Sequence, residues 1–346
     1  MLRTVAFLEA ALLAVVLVVI FGHALWLQQS RRRGAVLLAR AHAALSEVLQ
    51  RSDPALDAAP VVGSLSPALR IRLFADLAVS LSGTAAARLT ALASASGLTA
   101  EAERWCRSRW WWRRLRGARL LTVIGGGAGV VSDLLDDPTP FVRAQAAEWA
   151  AAHPNPEVIR RLLDALAGGA RLFRFSAQDA LGRIGSGAID PIADYLATHR
   201  GAPVEPVLEV AVGLADARLL PAALRLAGDE SARVRTLAAA LLGALGGDQA
   251  VAALGGMLED RSAAVRTGSI RALGHLGQWQ AAPRAATLLR DRSWQVRKEA
   301  GMTLRRFGAP GTLYLRRALA DADPFAADMA AQMLDLPAGG EPWSVT

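Results

Sequence analysis

The sequence predicts an all-α chain in which one N-terminal transmembrane helix precedes an α-solenoid of about eight helical-hairpin repeats. Three observations carry this expectation: an apolar run over 5–27, a block of residues recurring every 30 or 31 positions, and a composition suited to packed helices. Alanine, leucine and arginine dominate, aromatics make up 5% and charged residues 20%. That is ample apolar material for a helical core and too much for a disordered chain. The expected organisation is an anchor at 1–30, a basic juxtamembrane helix and linker at 31–66, the repeats at 67–336 and a loose tail at 337–346.

The run from Val5 to Leu27 holds 23 residues, interrupted only by Glu9 and His23. At about 1.5 Å per residue it spans roughly 34 Å, enough for the hydrocarbon core with some tilt. Trp26 suits the headgroup layer at one end, and Arg31, Arg32 and Arg33 follow, whereas Arg3 alone precedes. The positive-inside rule then places the following chain in the cytoplasm and the short N-terminus outside, at the inner membrane. A cleaved leader would be shorter, with its charge in front and small residues at a cleavage site. Gly22-His23-Ala24 fits that pattern poorly. Residues 35–50 read as an amphipathic helix, and Pro54, Pro60, Gly63 and Pro67 mark a loop-rich connection.

Residues 31–119 hold 15 arginines against 6 acids, while 120–346 hold 23 basic residues against 24 acids. The formal charge of +8 is therefore concentrated beside the apolar segment. Anionic headgroups attract each cation there by about 1 kcal/mol. A duplex-binding groove needs excess arginine along its whole length, so a nucleic-acid-binding solenoid is the alternative and not the expected reading. Cys106 is the single cysteine, which excludes an intrachain disulfide and a cysteine-rich metal site.

The repeated block starts with an apolar residue and arginine, with a small residue four on, a leucine-like residue eight on and glycine twelve on. It runs from Val234-Arg235 to Gly246, Val265-Arg266 to Gly277, Val296-Arg297 to Gly308 and Phe173-Arg174 to Gly185, with looser copies at Val142-Arg143 and Val204-Glu205. Positions four, eight and eleven on share one helical face, the glycine suits a left-handed helix cap, and a second apolar helix follows. Asp137, Asp229, Asp260 and Asp291 stand five residues before the next start, placed to accept hydrogen bonds from the free N–H groups of that helix. Weaker copies begin at Ile71-Arg72 and Arg113-Arg114, and Asp321 precedes a last one over 325–334.

This Asp…Val-Arg…Ala…Leu-Gly pattern resembles the short HEAT-like repeats named after the phycobilin-lyase proteins, in the setting of a membrane-anchored bacterial HEAT-repeat protein. The resemblance covers at least 137–308. It implies a right-handed, armadillo-type solenoid and a structural ladder in which Asp137, Arg143, Asp229, Arg235, Asp260, Arg266, Asp291 and Arg297 join neighbouring repeats. Repeats specify a fold and not a function, so a bilin lyase-like activity is a remote alternative.

Little in the chain points to chemistry. The five histidines form no ligand spacing with acids or Cys106, and Gly125–Gly129 lacks the Lys-Ser/Thr of a phosphate loop. No catalytic residue, metal, cofactor or small-molecule substrate is expected. One cluster stands out: Trp105, Arg107, Arg109, Trp110, Trp111, Trp112, Arg113, Arg114 and Arg116 place four tryptophans among five arginines. The rings could pack between the first two repeats. Alternatively Trp and Arg together suit a membrane interface, stacking on single-stranded nucleic acid, or a protein partner. Arg31–Arg33 and this cluster are the candidate membrane-interface or partner residues. The expected function is a membrane-tethered protein–protein interaction scaffold, accessory to a membrane enzyme or complex.

Overall fold

The computed structural model describes 17–18, 20–23, 25, 28–29, 35–45, 62–63, 65–80, 83–168 and 171–336. Most of the apolar run 5–27, together with Arg31–Arg33, the linker and the tail, lies outside the described residues. Among those described, no helix is long and apolar enough to cross a membrane. Every regular element among them is helical. The chain divides into two units, Met1–Leu134 and Leu135–Thr346, so a boundary falls inside the 67–336 stretch.

In the first unit a helix over 35–45 buries Ala41 and Leu45 on one face. Five further helices follow: α1 (Pro67–Ser80), α2 (Thr84–Ala95), α3 (Leu98–Cys106), α4 (Trp111–Ile124) and α5 (Ala128–Asp133). The weak copies starting at 71 and 113 lie in α1 and α4, which touch each other. They are not simple neighbours in a repeat series, because α3 lies between them in the chain and packs most closely on α4. Gly117 permits this approach: a Cβ there would lie 2.6 Å from the Ala102 carbonyl oxygen. Burial, then Glu103, pushes the Cys106 thiol up to about 12, so it stays protonated and inert. The glycine run at 125–127 has positive φ throughout and forms the turn between α4 and α5.

The second unit is a stack of helical hairpins in two layers. The first layer contains α6 (Pro140–Ala152), α8 (Arg171–Ile184), α10 (Glu205–Leu214), α12 (Ala232–Leu245), α14 (Ala263–His275), α16 (Trp294–Arg306) and α18 (Pro324–Asp335), each touching the next. The second contains α7 (Pro156–Gly168), α9 (Ile189–Thr198), α11 (Leu220–Leu226), α13 (Asp248–Met257), α15 (Ala282–Thr287) and α17 (Ala309–Ala318). Five of the six block starts fall in the first turn of a first-layer helix; Val204 falls in a short 3₁₀ turn just before α10.

Small residues four positions into the block, Ala146, Ala177, Ala238, Ser269 and Ala300, are fully buried, as is Ala330 in α18. Leu181, Leu242, Leu273 and Leu304, eight positions in, fill the space between the layers. The helices of the first layer also meet at glycine. A Cβ on Gly243 would lie 2.7 Å from Ala272 Cβ, and one on Gly274 would lie 2.8 Å from Thr303 Oγ1. These two contacts are one repeat apart and use equivalent positions, so they set the same lateral spacing twice.

Leu273 is 1% exposed. Leu273→Ala is expected to lower stability by about 2–5 kcal/mol through lost burial and a residual cavity. A thermal midpoint equal to that of the parent chain would show that the layers do not meet in this register.

Candidate interaction surfaces

Five of the seven first-layer helices in the second unit are preceded by the same short turn. The Asp229 carboxylate accepts from the backbone N–H of Ser231 at 2.8 Å, Asp260 from Ser262 at 2.7 Å and Asp291 from Ser293 at 2.8 Å. Asp137 accepts from Thr139 at 2.8 Å, and Asp321 from Asp323 at 2.9 Å. These contacts correct the capping role read from sequence. Each aspartate stands two residues before the N-cap, too far out to reach the free N–H groups of the first helical turn. It closes an Asx turn instead, and Thr139, Ser231, Ser262, Ser293 and Asp323 occupy the N-cap positions. The signal was present as an Asp-x-Ser/Thr spacing.

In two blocks the arginine one residue in then reaches back and forward. Arg235 donates from Nη1 to the Asp229 carbonyl at 2.8 Å, while its Nε and Nη2 clasp the Asp260 carboxylate at 2.7 and 2.8 Å. Arg266 repeats this with the Asp260 carbonyl at 2.7 Å and the Asp291 carboxylate at 2.7 and 2.8 Å. Both arginines are buried, and the planar fork matches a carboxylate in two parallel bonds. Burial pushes the Asp260 and Asp291 carboxyls up, but the arginine fork, the serine N–H and the nearby positive charge outweigh it and hold both below the ordinary aspartate range.

Elsewhere the ladder is interrupted. Glu205 stands where an arginine would approach Asp229, whose second oxygen accepts from Gly201 N at 3.3 Å. Arg297 keeps the backward bond to the Asp291 carbonyl at 2.8 Å, but its guanidinium lies 4.9 Å over the Phe325 ring and its Nε is buried without a partner. Asp321 is instead bound by Arg290, from the 3₁₀ turn that follows α15, at 2.8 Å. Arg143 also keeps its backward bonds, to the carbonyls of Asp137 at 2.6 Å and Pro138 at 3.2 Å. Beside it Leu135, Asp136, Arg161, Asp164, Gly168 and Phe173 line an open cavity of about 590 Å³.

The tryptophan–arginine cluster lies in the first unit, where α3 ends and α4 begins. Trp110, Trp111 and Trp112 are 46–47% exposed, so they are not the core packing that was one reading of the sequence. Trp105 is half-buried. Guanidinium groups lie over three of the rings: Arg109 at 4.8 Å from Trp110, Arg113 at 5.1 Å from Trp112 and Arg116 at 4.8 Å from Trp105. Arg114 ties the preceding loop to α4 through the carbonyls of Ser108 at 3.0 Å and Arg109 at 3.1 Å. The outcome is a surface of half-exposed rings, three of them covered by cations.

A family model described as HEAT repeats matches residues 255–335, from late α13 through α18. No curated protein matches the sequence. Among solved structures, an engineered protein is 17% identical with a TM-score of 0.36, over 86% of this chain and 94% of its own. Human deoxyhypusine hydroxylase in complex with glycerol is 20% identical with a TM-score of 0.30, over 87% and 97%. The Kap95:Nup1 complex gives 12% identity and a TM-score of 0.46, over 79% of this chain and 46% of that one. The second unit is all-helical among its described residues, and its stretch 255–335 matches HEAT repeats.

The lowered carboxyls define a pH dependence. A carboxyl whose native value lies below its unfolded value stabilises fully above the ordinary aspartate value of about 4 and ceases to as pH falls through the lowered native value. At neutral pH, Asp260→Asn is expected to cost about 3–5 kcal/mol, because it leaves Arg235 buried without its carboxylate. The gap to the parent chain in denaturant titrations should shrink as pH falls below about 4. A gap constant across that range would contradict the ladder electrostatics.

Proposed function

We propose that this chain is a single-pass, membrane-tethered protein–protein interaction scaffold on the cytoplasmic face of the inner membrane. Its N-terminus lies outside, its repeats are of the short phycobilin-lyase type, and it has no catalytic activity of its own. A membrane-associated protein is the partner, so the chain acts as an accessory to a membrane enzyme or complex. The observation that carries this reading is the exposed patch of Trp110, Trp111 and Trp112 among Arg109, Arg113 and Arg114. Rings with an apolar body and a polar edge suit the headgroup layer, and arginine beside them suits lipid phosphate.

Two further observations support it. The described residues of 5–27 include Leu17, Val18, Ile20, Phe21 and Leu25, all large, apolar and exposed, as a lipid-facing helix requires. Stacked helical repeats present extended surfaces to partners. In the second unit, Phe141, Phe175, Trp279, Trp294 and Phe325 are exposed, and aromatic anchors of this kind dominate protein interfaces.

A chain beginning at Gly34, without the apolar run and Arg31–Arg33, is expected to co-sediment with anionic vesicles and to ignore neutral ones. Binding should weaken with salt, which screens exposed charge beyond about 8–10 Å. Replacing Arg109, Arg113 and Arg114 by Gln should abolish binding with helical content unchanged. Equal binding to both vesicle types, or binding that survives the triple replacement, would overturn the membrane-facing role of this surface.

A further inference from the structure

The geometry points to Arg143 as a docking site for an acidic side chain of a partner polypeptide, in the place where the ladder lacks its own aspartate. This rests on the reading of the chain as a protein-binding scaffold and names the chemistry of one contact. Arg143 is held by its own repeat as Arg235 and Arg266 are. Its Nη1 donates to the carbonyls of Asp137 and Pro138, as Arg235 Nη1 donates to those of Asp229 and Glu230. In Arg235 and Arg266, that anchorage turns the Nε–Nη2 edge onto a carboxylate of the following repeat.

For Arg143 the following repeat supplies none. The 31-residue step from Asp137 falls on Gly168, and no acid occurs between Asp164 and Asp179. Among the described residues, the hydrogen bonds of Arg143 run through Nη1, and its guanidinium lies 5.8 Å from the Phe173 ring, which helps hold its plane. The fork is therefore oriented before any ligand arrives.

The space beside the fork is large enough for a guest. The cavity, about 590 Å³, falls within the roughly 300–1,000 Å³ typical of ligand pockets. Its wall also carries a second cation, the exposed Arg161, and the exposed acids Asp136 and Asp164. The second cation favours an anionic group, and the two acids favour a guest with N–H donors beside its carboxylate. An aspartate or glutamate within an extended peptide has both. The guest carboxylate would take the two parallel bonds that Asp260 and Asp291 accept within the stack.

The test uses the full chain in mild detergent and the blocked peptide Ser-Gly-Asp-Gly-Ser, with its Asn counterpart and acetate as controls. Side-chain NMR of the arginine Nε–H groups reports binding at Arg143. The Asp peptide is expected to shift the Arg143 signal saturably, with the Asn peptide and acetate at least about tenfold weaker. Arg143→Lys keeps the charge but loses the fork, and should weaken binding about tenfold as read by the peptide's own signals. Gly168→Asp supplies a competing carboxylate where an added Cβ meets no atom within 4 Å, so the fold is kept. It should weaken binding to a similar degree.

Absence of an Arg143 shift, equal binding of the Asn peptide or acetate, or undiminished binding in folded Arg143→Lys or in Gly168→Asp would overturn the site. Proteins co-purifying with the parent chain separate this from the scaffold reading. If they are retained in full by Arg143→Lys, the inference fails and the scaffold stands; if none co-purify with either chain, the scaffold reading fails.

Discussion

A hairpin of about thirty residues exposes more apolar surface than it can bury on its own, so each repeat in the second unit depends on the next being at one fixed distance. That distance is set where backbones approach most closely. Gly243 against Ala272 and Gly274 against Thr303 leave no room for a larger side chain on the glycine, and the two contacts lie one repeat apart. The buried alanine column, the leucines between layers and the arginine–aspartate rungs all fit inside the same spacing. With the lateral distance fixed, an arginine at the start of one block meets an aspartate 25 residues later in two successive repeats.

The apolar scaffold is more regular than the polar ladder laid over it. Apolar burial needs only size and position, so Phe173, Val204 and Val234 can all serve at the block start. A rung needs two specific partners, and one substitution removes it. Glu205, Gly168 and the Phe325 ring each break the series in a different way. The complete rungs link the repeats starting at 234, 265 and 296, partly within the stretch that matches HEAT repeats. Where the polar series fails but the apolar one continues, the stack remains intact and an arginine fork is left over.

Much of the second unit was legible because its period is read from residues that cannot vary without loss of packing. The block starts, the small residue four on and the leucine eight on fall where the helices and the core are. The role of the aspartates was misread, since a carboxylate near a helix start suits both an N-cap and an Asx turn, and only the backbone geometry separates them. The first unit was less legible. Its apolar helices carry no aspartate or glycine punctuation at a constant step, and α3 breaks the spacing between the copies at 71 and 113. The tryptophans were ambiguous in principle: a large ring flanked by arginines satisfies both a helix interface and a headgroup layer. Exposure of nearly half of Trp110, Trp111 and Trp112 speaks against the helix interface.

The central claim is that forks between consecutive repeats hold the register that close packing permits. It is tested most directly by a double-mutant cycle on Arg266 and Asp291, whose Nε–Oδ2 contact is 2.7 Å. Chemical denaturation of the parent chain, Arg266→Gln, Asp291→Asn and the double variant yields the coupling between the two side chains. The account predicts that the double variant loses less stability than the sum of the single losses, with a coupling of at least about 1 kcal/mol. Losses that add to within about 0.3–0.5 kcal/mol would contradict it, and would leave the register to apolar packing alone.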